Sequence, residues 1–149
     1  MGSPQPTTTP SPLSQHRTRI KVCGLTREQD VDAAVDAGVD AVGFVLYPPS
    51  PRAVTPQRAA QLAARLPPFV TPVLLFVNES ATNVIAASAC VTGAALQFHG
   101  DESAQDCWAA SGQGARPYLR AARIPLGAQG LDFDLVVFVH VHSPAQAML

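Results

Sequence analysis

Short apolar runs alternate with stretches of helical periodicity from residue 18 onward, and this alternation restricts the fold more than any other feature of the chain. Residues 19–23 (RIKVC) read as a strand, as do 41–46 (AVGFVL), 73–77 (VLLFV), 94–98 (AALQF), 116–121 (RPYLRA) and 135–141 (LVVFVHV). The second run is continuously apolar, as a strand covered on both faces must be. Between the runs lie helix signals. Thr26 and Gln29 form a capping-box pair ahead of Val31, Ala34 and Val35, with Gly38 as the stop. Thr55-Pro56 supplies an N-cap and a first-turn proline for a helix whose buried stripe is Ala59, Leu62, Ala63 and Leu66. A weaker helix runs from Ser80 through Val84, Ile85 and Val91, and a fourth spans 101–111 with Ala104, Cys107 and Trp108 inward. Such alternation implies parallel strands joined by right-handed crossovers. A closed barrel and an open doubly wound sheet both satisfy it.

Composition narrows the class. Of the 149 residues, 47% are hydrophobic and 14% charged, enough apolar content for one domain with a sizeable core. Residues 1–17 are rich in Pro, Ser and Thr and read as a disordered tail, leaving 18–149 as the domain. A net charge of −1 gives no reason to expect nucleic acid or an anionic membrane as partner, while a few local arginines suffice to bind a small anion. No apolar run approaches the roughly 20 residues that span a bilayer. Cys23, Cys90 and Cys107 are odd in number and lack any C-x-x-C pair. That argues against a disulfide framework and a zinc site, and for a reducing, cytoplasmic setting.

In both candidate folds chemistry collects where strands end. The first strand ends in Cys23-Gly24, the second in Y-P-P-S-P-R with Arg52, the third in F-V-N with Asn78, and the fourth in Q-F-H-G-D with Gln97, His99 and Asp101. The fifth carries Arg120 and precedes Arg123. A thiol, a histidine and arginines on one rim suit an anionic substrate and proton transfer. Each has a bland alternative: Cys23 as inert packing, Gly24 as a turn, Arg52 as a solvated loop residue, His99 as a structural histidine. Three prolines stiffen the Arg52 loop, which suits an arginine held for bidentate carboxylate recognition. Cys90 and Cys107 fall within helical patterns and are assigned to packing.

K-V-C-G-L-T, G-F-V-L-Y-P-P-S-P-R-A-V-T, F-V-N and L-Q-F-H-G-D, in this order and spacing, resemble the phosphoribosylanthranilate isomerases of tryptophan biosynthesis over residues 19–123. The resemblance implies a TIM-type parallel (β/α) barrel, here incomplete, with about six of the eight βα units. It implies an Amadori rearrangement of phosphoribosylanthranilate, an aminoaldose phosphate, to an aminoketose phosphate, with no cofactor. It also assigns roles: Cys23 matches the catalytic general base, Arg52 the arginine on the anthranilate carboxylate, and Gln97 and His99 polar groups of the substrate pocket. Two departures accompany it. The family's general acid is an aspartate at the end of strand six, and here the matching position falls near Val139, with Asp132 and Asp134 toward the opposite end and His140 and His142 as weak substitutes. The Gly-rich phosphate-binding segment after strand seven has no counterpart. A shifted frame or partial gene would produce such an ending, and the chain as it stands is expected to be impaired as an isomerase. The competing expectations are a non-enzymatic remnant of the family and another sugar-phosphate barrel isomerase or epimerase. Oligomeric state is left open.

Overall fold

A computed structural model describes the backbone of residues 17–122 and 137–139 and the side chains of 17–121. The strands β1 (Lys21–Cys23), β2 (Ala41–Val45), β3 (Thr71–Phe76), β4 (Ala95–Phe98), β5 (Tyr118–Ala122) and β6 (Val137–Val139) form one sheet in the order β1-β2-β3-β4-β5-β6, every pair parallel. A doubly wound sheet reverses its strand order at a switch point. Here each strand pairs with its successor, so the ambiguity left by alternation is decided for an incomplete barrel of the TIM type.

Four crossovers carry helices: α1 (Glu28–Asp36), α2 (Pro56–Ala63), α3 (Ala81–Ala89) and α4 (Ala104–Ala110). Thr55 caps α2, its hydroxyl accepting from Arg58 N at 3.1 Å, and Pro56 opens the first turn. Ser80 caps α3 in the same way. The reciprocal capping box falls at α4, where Ser103 N donates to Asp106 Oδ2 at 2.9 Å and Asp106 N donates to Ser103 Oγ at 3.1 Å. At α1 the expected Thr26 capping box does not form. The N-cap is Arg27 without a side-chain cap, Arg27 forks onto Asp30 at 2.7 and 2.9 Å, and the Thr26 carbonyl accepts from Arg58 instead.

Strand parity divides the sheet into two faces. Val42, Phe44 and Leu46, then Leu74 and Phe76, then Leu96 and Phe98 pack against Val31, Ala34, Ala59, Leu62, Val84, Cys107 and Ala110 of the helices in one continuous core. The opposite parity holds Lys21 and Cys23, Ala41, Gly43 and Val45, Val73 and Leu75, and Ala95 and Gln97, facing the barrel interior. Trp108, expected inward, and Ile85 of the weaker helical pattern lie outside this core. Trp108 is 51% exposed because Cys107 and Ala110 take the buried stripe of the short α4, and its ring lies over Gly114 instead. Ile85 is 47% exposed because Val84 and Ser88 take that stripe in α3.

Two bidentate ion pairs, one from α2 and one from the turn just after it, bind this segment to the first βα unit. Arg58 reaches Glu28 at 2.6 and 2.8 Å and the Thr26 carbonyl at 3.1 Å, and Arg65 reaches Asp32 at 2.8 and 2.5 Å. The hydrogen bonds from Arg58 hold the Glu28 carboxyl down, from 4.5 to about 2. Because the folded value is depressed, this pair's stabilisation is complete above the ordinary carboxyl range and is lost as pH falls toward 2. Thermal melts should therefore decline from pH 4.5 to about 2 more steeply in the parent than in a Glu28→Gln variant, whose melting point at neutral pH should be lower. Parallel curves would refute the coupling.

Candidate active site

Cys23 closes β1, and the chain turns at once through Gly24, whose φ of +85° favours glycine. The turn is anchored by Gly24 N donating to the Gly43 carbonyl at 2.8 Å. Gly24 has a second requirement: a Cβ there would stand 2.9 Å from both Cδ and Nη1 of Arg52. The Arg52 side chain therefore lies on the Gly24 backbone, one residue from the thiol. Its loop is braced by Ser50 N donating to the Tyr47 carbonyl at 2.9 Å, Ala53 N to the Ser50 carbonyl at 3.0 Å and Arg52 N to Ser50 Oγ at 3.2 Å. Arg17, Arg27, Arg58 and Arg65 are each paired with a carboxylate, whereas the Arg52 guanidinium has no carboxylate partner among the described residues. An exposed, stiffly mounted guanidinium without a carboxylate partner among the described residues has the geometry to take a small carboxylate in bidentate fashion.

Gly43 makes room for the thiol from the neighbouring strand. It pairs directly with Cys23, and a Cβ at Gly43 would meet Cys23 Sγ at 2.5 Å and Lys21 Nζ at 3.1 Å. The sulfur and the ammonium thus share the space left by one absent side chain. A lone glycine inside a strand pattern signals such an approach, so Gly43 was readable from A-V-G-F-V, and Lys21 follows from its shared parity with Cys23.

Three strands along, Gln97 and His99 share the interior face of β4 and its end. Gln97 is 4% exposed, and its Nε2 lies 3.3 Å from His99 Nδ1. With the amide as donor, Nδ1 accepts and the imidazole proton resides on Nε2. Gln97 Oε1 is buried with no hydrogen-bond partner among the described residues, which suits an acceptor awaiting a ligand donor.

The loop beyond His99 is held by a residue the sequence motif did not single out. Glu102 is 7% exposed and accepts from Asn78 N at 2.6 Å and Gly100 N at 2.8 Å. Asn78, at φ +50°, accepts from Asp101 N through Oδ1 at 2.8 Å, and a Cβ on Gly100 would meet that oxygen at 2.3 Å. The ends of β3 and β4 are thereby tied into one rim.

Other expectations are corrected. Arg120 shares the parity of Tyr118, so it belongs to the helix side, where its charge acts on Cys107. Cys90 is exposed at the end of α3 rather than packed, while Cys107 is buried as expected, its thiol pushed up to about 11 by burial and then by the charge of Glu102. Arg123, Asp132, Asp134, His140 and His142 lie outside the described residues. A cavity of about 610 Å³ between α2 and α3 is lined by Leu46, Val54, Pro56, Phe76 and Ala87; Leu46 and Phe76 are helix-side residues, so it is separate from the Cys23 face. Among the described residues no His/Cys/Asp/Glu cluster could hold a metal, and no helix is long and apolar enough to cross a membrane.

A family profile for N-(5'-phosphoribosyl)anthranilate (PRA) isomerase matches residues 20–124. The chain belongs to the PRA isomerase family. It is 59% identical over 133 residues to the N-(5'-phosphoribosyl)anthranilate isomerase of Methylibium petroleiphilum, covering 89% of this chain and 58% of that protein. Against the Dechloromonas aromatica isomerase the identity is 56%, covering 89% and 60%. The chain thus spans less than two thirds of the length of these curated relatives. Among solved structures, the phosphoribosylanthranilate isomerase of Thermotoga maritima superposes with a TM-score of 0.65 at 37% identity, covering 70% of this chain and 50% of that one. A PRA isomerase in complex with reduced 1-(o-carboxyphenylamino)-1-deoxyribulose 5-phosphate gives 0.66 at 36% identity, covering 70% and 53%.

Because Glu102 satisfies two rim N–H groups with a buried carboxylate, Glu102→Gln should cost about 1–3 kcal/mol in urea unfolding. A loss below a few tenths of a kcal/mol would mean that the clamp holds nothing.

Proposed function

We propose that this chain contributes the base and the carboxylate receptor of a phosphoribosylanthranilate isomerase, with Cys23, Arg52, Gln97 and His99 as the site. The observation that carries this reading is the Arg52 guanidinium lying on Gly24, next to the residue bearing the thiol. One small molecule with a carboxylate can engage both groups. Bound through its anthranilate carboxylate at Arg52, the substrate presents its sugar to Cys23. After protonation of the furanose oxygen opens the ring to a Schiff base, Cys23 as thiolate takes the C2 proton, and the resulting enolamine tautomerises to the ketone. No external electron acceptor is needed, because C1 is reduced as C2 is oxidised. Gln97 Oε1 accepts from a substrate N–H or O–H, and His99 stands beside the Gln97 amide on the pocket wall. The proton for ring opening comes from a group outside residues 17–122. The three cysteines are free thiols, which accords with a cytoplasmic setting.

The test is growth of a tryptophan auxotroph lacking the isomerase, supplied with the chain joined to the remaining carboxyl-terminal portion of the Methylibium petroleiphilum relative. Growth is expected from this extended chain and not from its Cys23→Ala variant. Arg52→Gln should raise KM for the anthranilate substrate roughly 10- to 100-fold, the scale of a lost charge-assisted bidentate contact. Unimpaired growth of the Cys23→Ala form would overturn the assignment of the base.

A further inference from the structure

We propose that Lys21 is a positioning residue for Cys23: its ammonium supplies the fixed positive charge against which the sulfur acts as an anion. This rests on the reading of Cys23 as the base and adds a residue to it. Lys21 is the only lysine in the chain. It stands two residues before Cys23 on the same interior face of β1, half-buried as Cys23 is. Its Nζ and the Cys23 sulfur converge over Gly43, 3.1 and 2.5 Å from the point a Cβ would occupy there. Among the described residues no carboxylate forms an ion pair with Lys21. The interior positions around it, Ala41, Gly43, Val45, Val73, Leu75 and Ala95, are uncharged. Arg52 is a second cation nearby, lying on Gly24, the residue after Cys23. Two cations without a carboxylate partner among the described residues therefore flank the Cys23-Gly24 turn, Lys21 on the interior face of β1 and Arg52 on the loop. The charge of Lys21 remains available to the sulfur before any substrate arrives.

The experiment compares alkylation of the folded chain by iodoacetate, an anion, and iodoacetamide, its neutral analogue, with each cysteine followed by peptide mass spectrometry. Exposed Cys90 is the internal reference, and buried Cys107 reports unfolding because it reacts only when the core opens. At low salt the iodoacetate-to-iodoacetamide rate ratio at Cys23 should exceed that at Cys90 by about fivefold or more, and should shrink as salt screens the charge. Lys21→Met should bring the ratio to within about twofold of the Cys90 value, while Lys21→Arg should keep it. A merely structural lysine would not shift a ratio between two reagents of similar size. If Lys21→Met leaves the ratio unchanged, or if only Arg52→Gln lowers it, the proposal is overturned. Should Lys21→Met expose Cys107, the parent chain decides: a ratio at Cys23 equal to that at Cys90 and insensitive to salt also overturns it. No substrate is present, so failure of the isomerase reading in the growth assay leaves this result separately legible.

Discussion

Parallel pairing of each strand with its immediate successor is the constraint from which the rest follows. It requires a crossover between consecutive strands, and α1 to α4 provide those from β1 to β5; it also gives each strand one parity for the helices and one for the barrel interior. Phe44, Leu74 and Leu96 therefore align across β2, β3 and β4, Phe76 aligns with Phe98, and these residues seal the sheet to its helices. Phe76 and Phe98 lie 6.5 Å apart between ring centroids, and Tyr118 continues the row at 5.9 Å from Phe98. Cys23 and Gln97 take the other parity, so the residues proposed for chemistry are excluded from that core by the same alternation that builds it.

The rim above this sheet is assembled from groups that would be costly elsewhere. Gly24 and Gly43 each stand where a side chain would collide with a residue of the proposed site, the first with Arg52 and the second with Cys23. Glu102 buries a carboxylate to hold two backbone N–H groups, and Gln97 buries an amide oxygen that finds no partner. The unsatisfied Gln97 amide oxygen lies on the interior face of β4, the same face of the sheet that carries the Cys23 thiol on β1. On the helix side Arg58 and Arg65 fork onto Glu28 and Asp32, while Arg120 Nε is buried with no hydrogen-bond partner among the described residues.

Much of this was legible in the sequence because its causes are local. The alternation of apolar runs and helix signals, the Thr55-Pro56 start and the positions of Cys23, Arg52, Gln97 and His99 at strand ends all follow from neighbours a few residues apart. The departures have equally physical origins. Thr26 has the chemistry of a cap, but α1 starts at Glu28 with Arg27 as its N-cap, and the Thr26 carbonyl is tied to Arg58, 32 positions away. Trp108 is apolar enough for a core, yet α4 is too short to bury a third residue beside Cys107 and Ala110. Glu102 is inconspicuous after Q-F-H-G-D because its partner is the backbone of Asn78, which the sequence does not mark as a hydrogen-bond donor.

By itself, then, the sequence determined the strand–helix alternation, the strand-end chemistry and the family to which these motifs belong. These are consequences of propensity, periodicity and residue type. Only the tertiary structure decided between barrel and doubly wound order, since both obey the same local rules and differ in which strands are neighbours. It alone brought Arg52 onto Gly24 and Lys21 beside Cys23 over Gly43. Those approaches depend on register between strands, a long-range quantity that no short stretch of sequence contains.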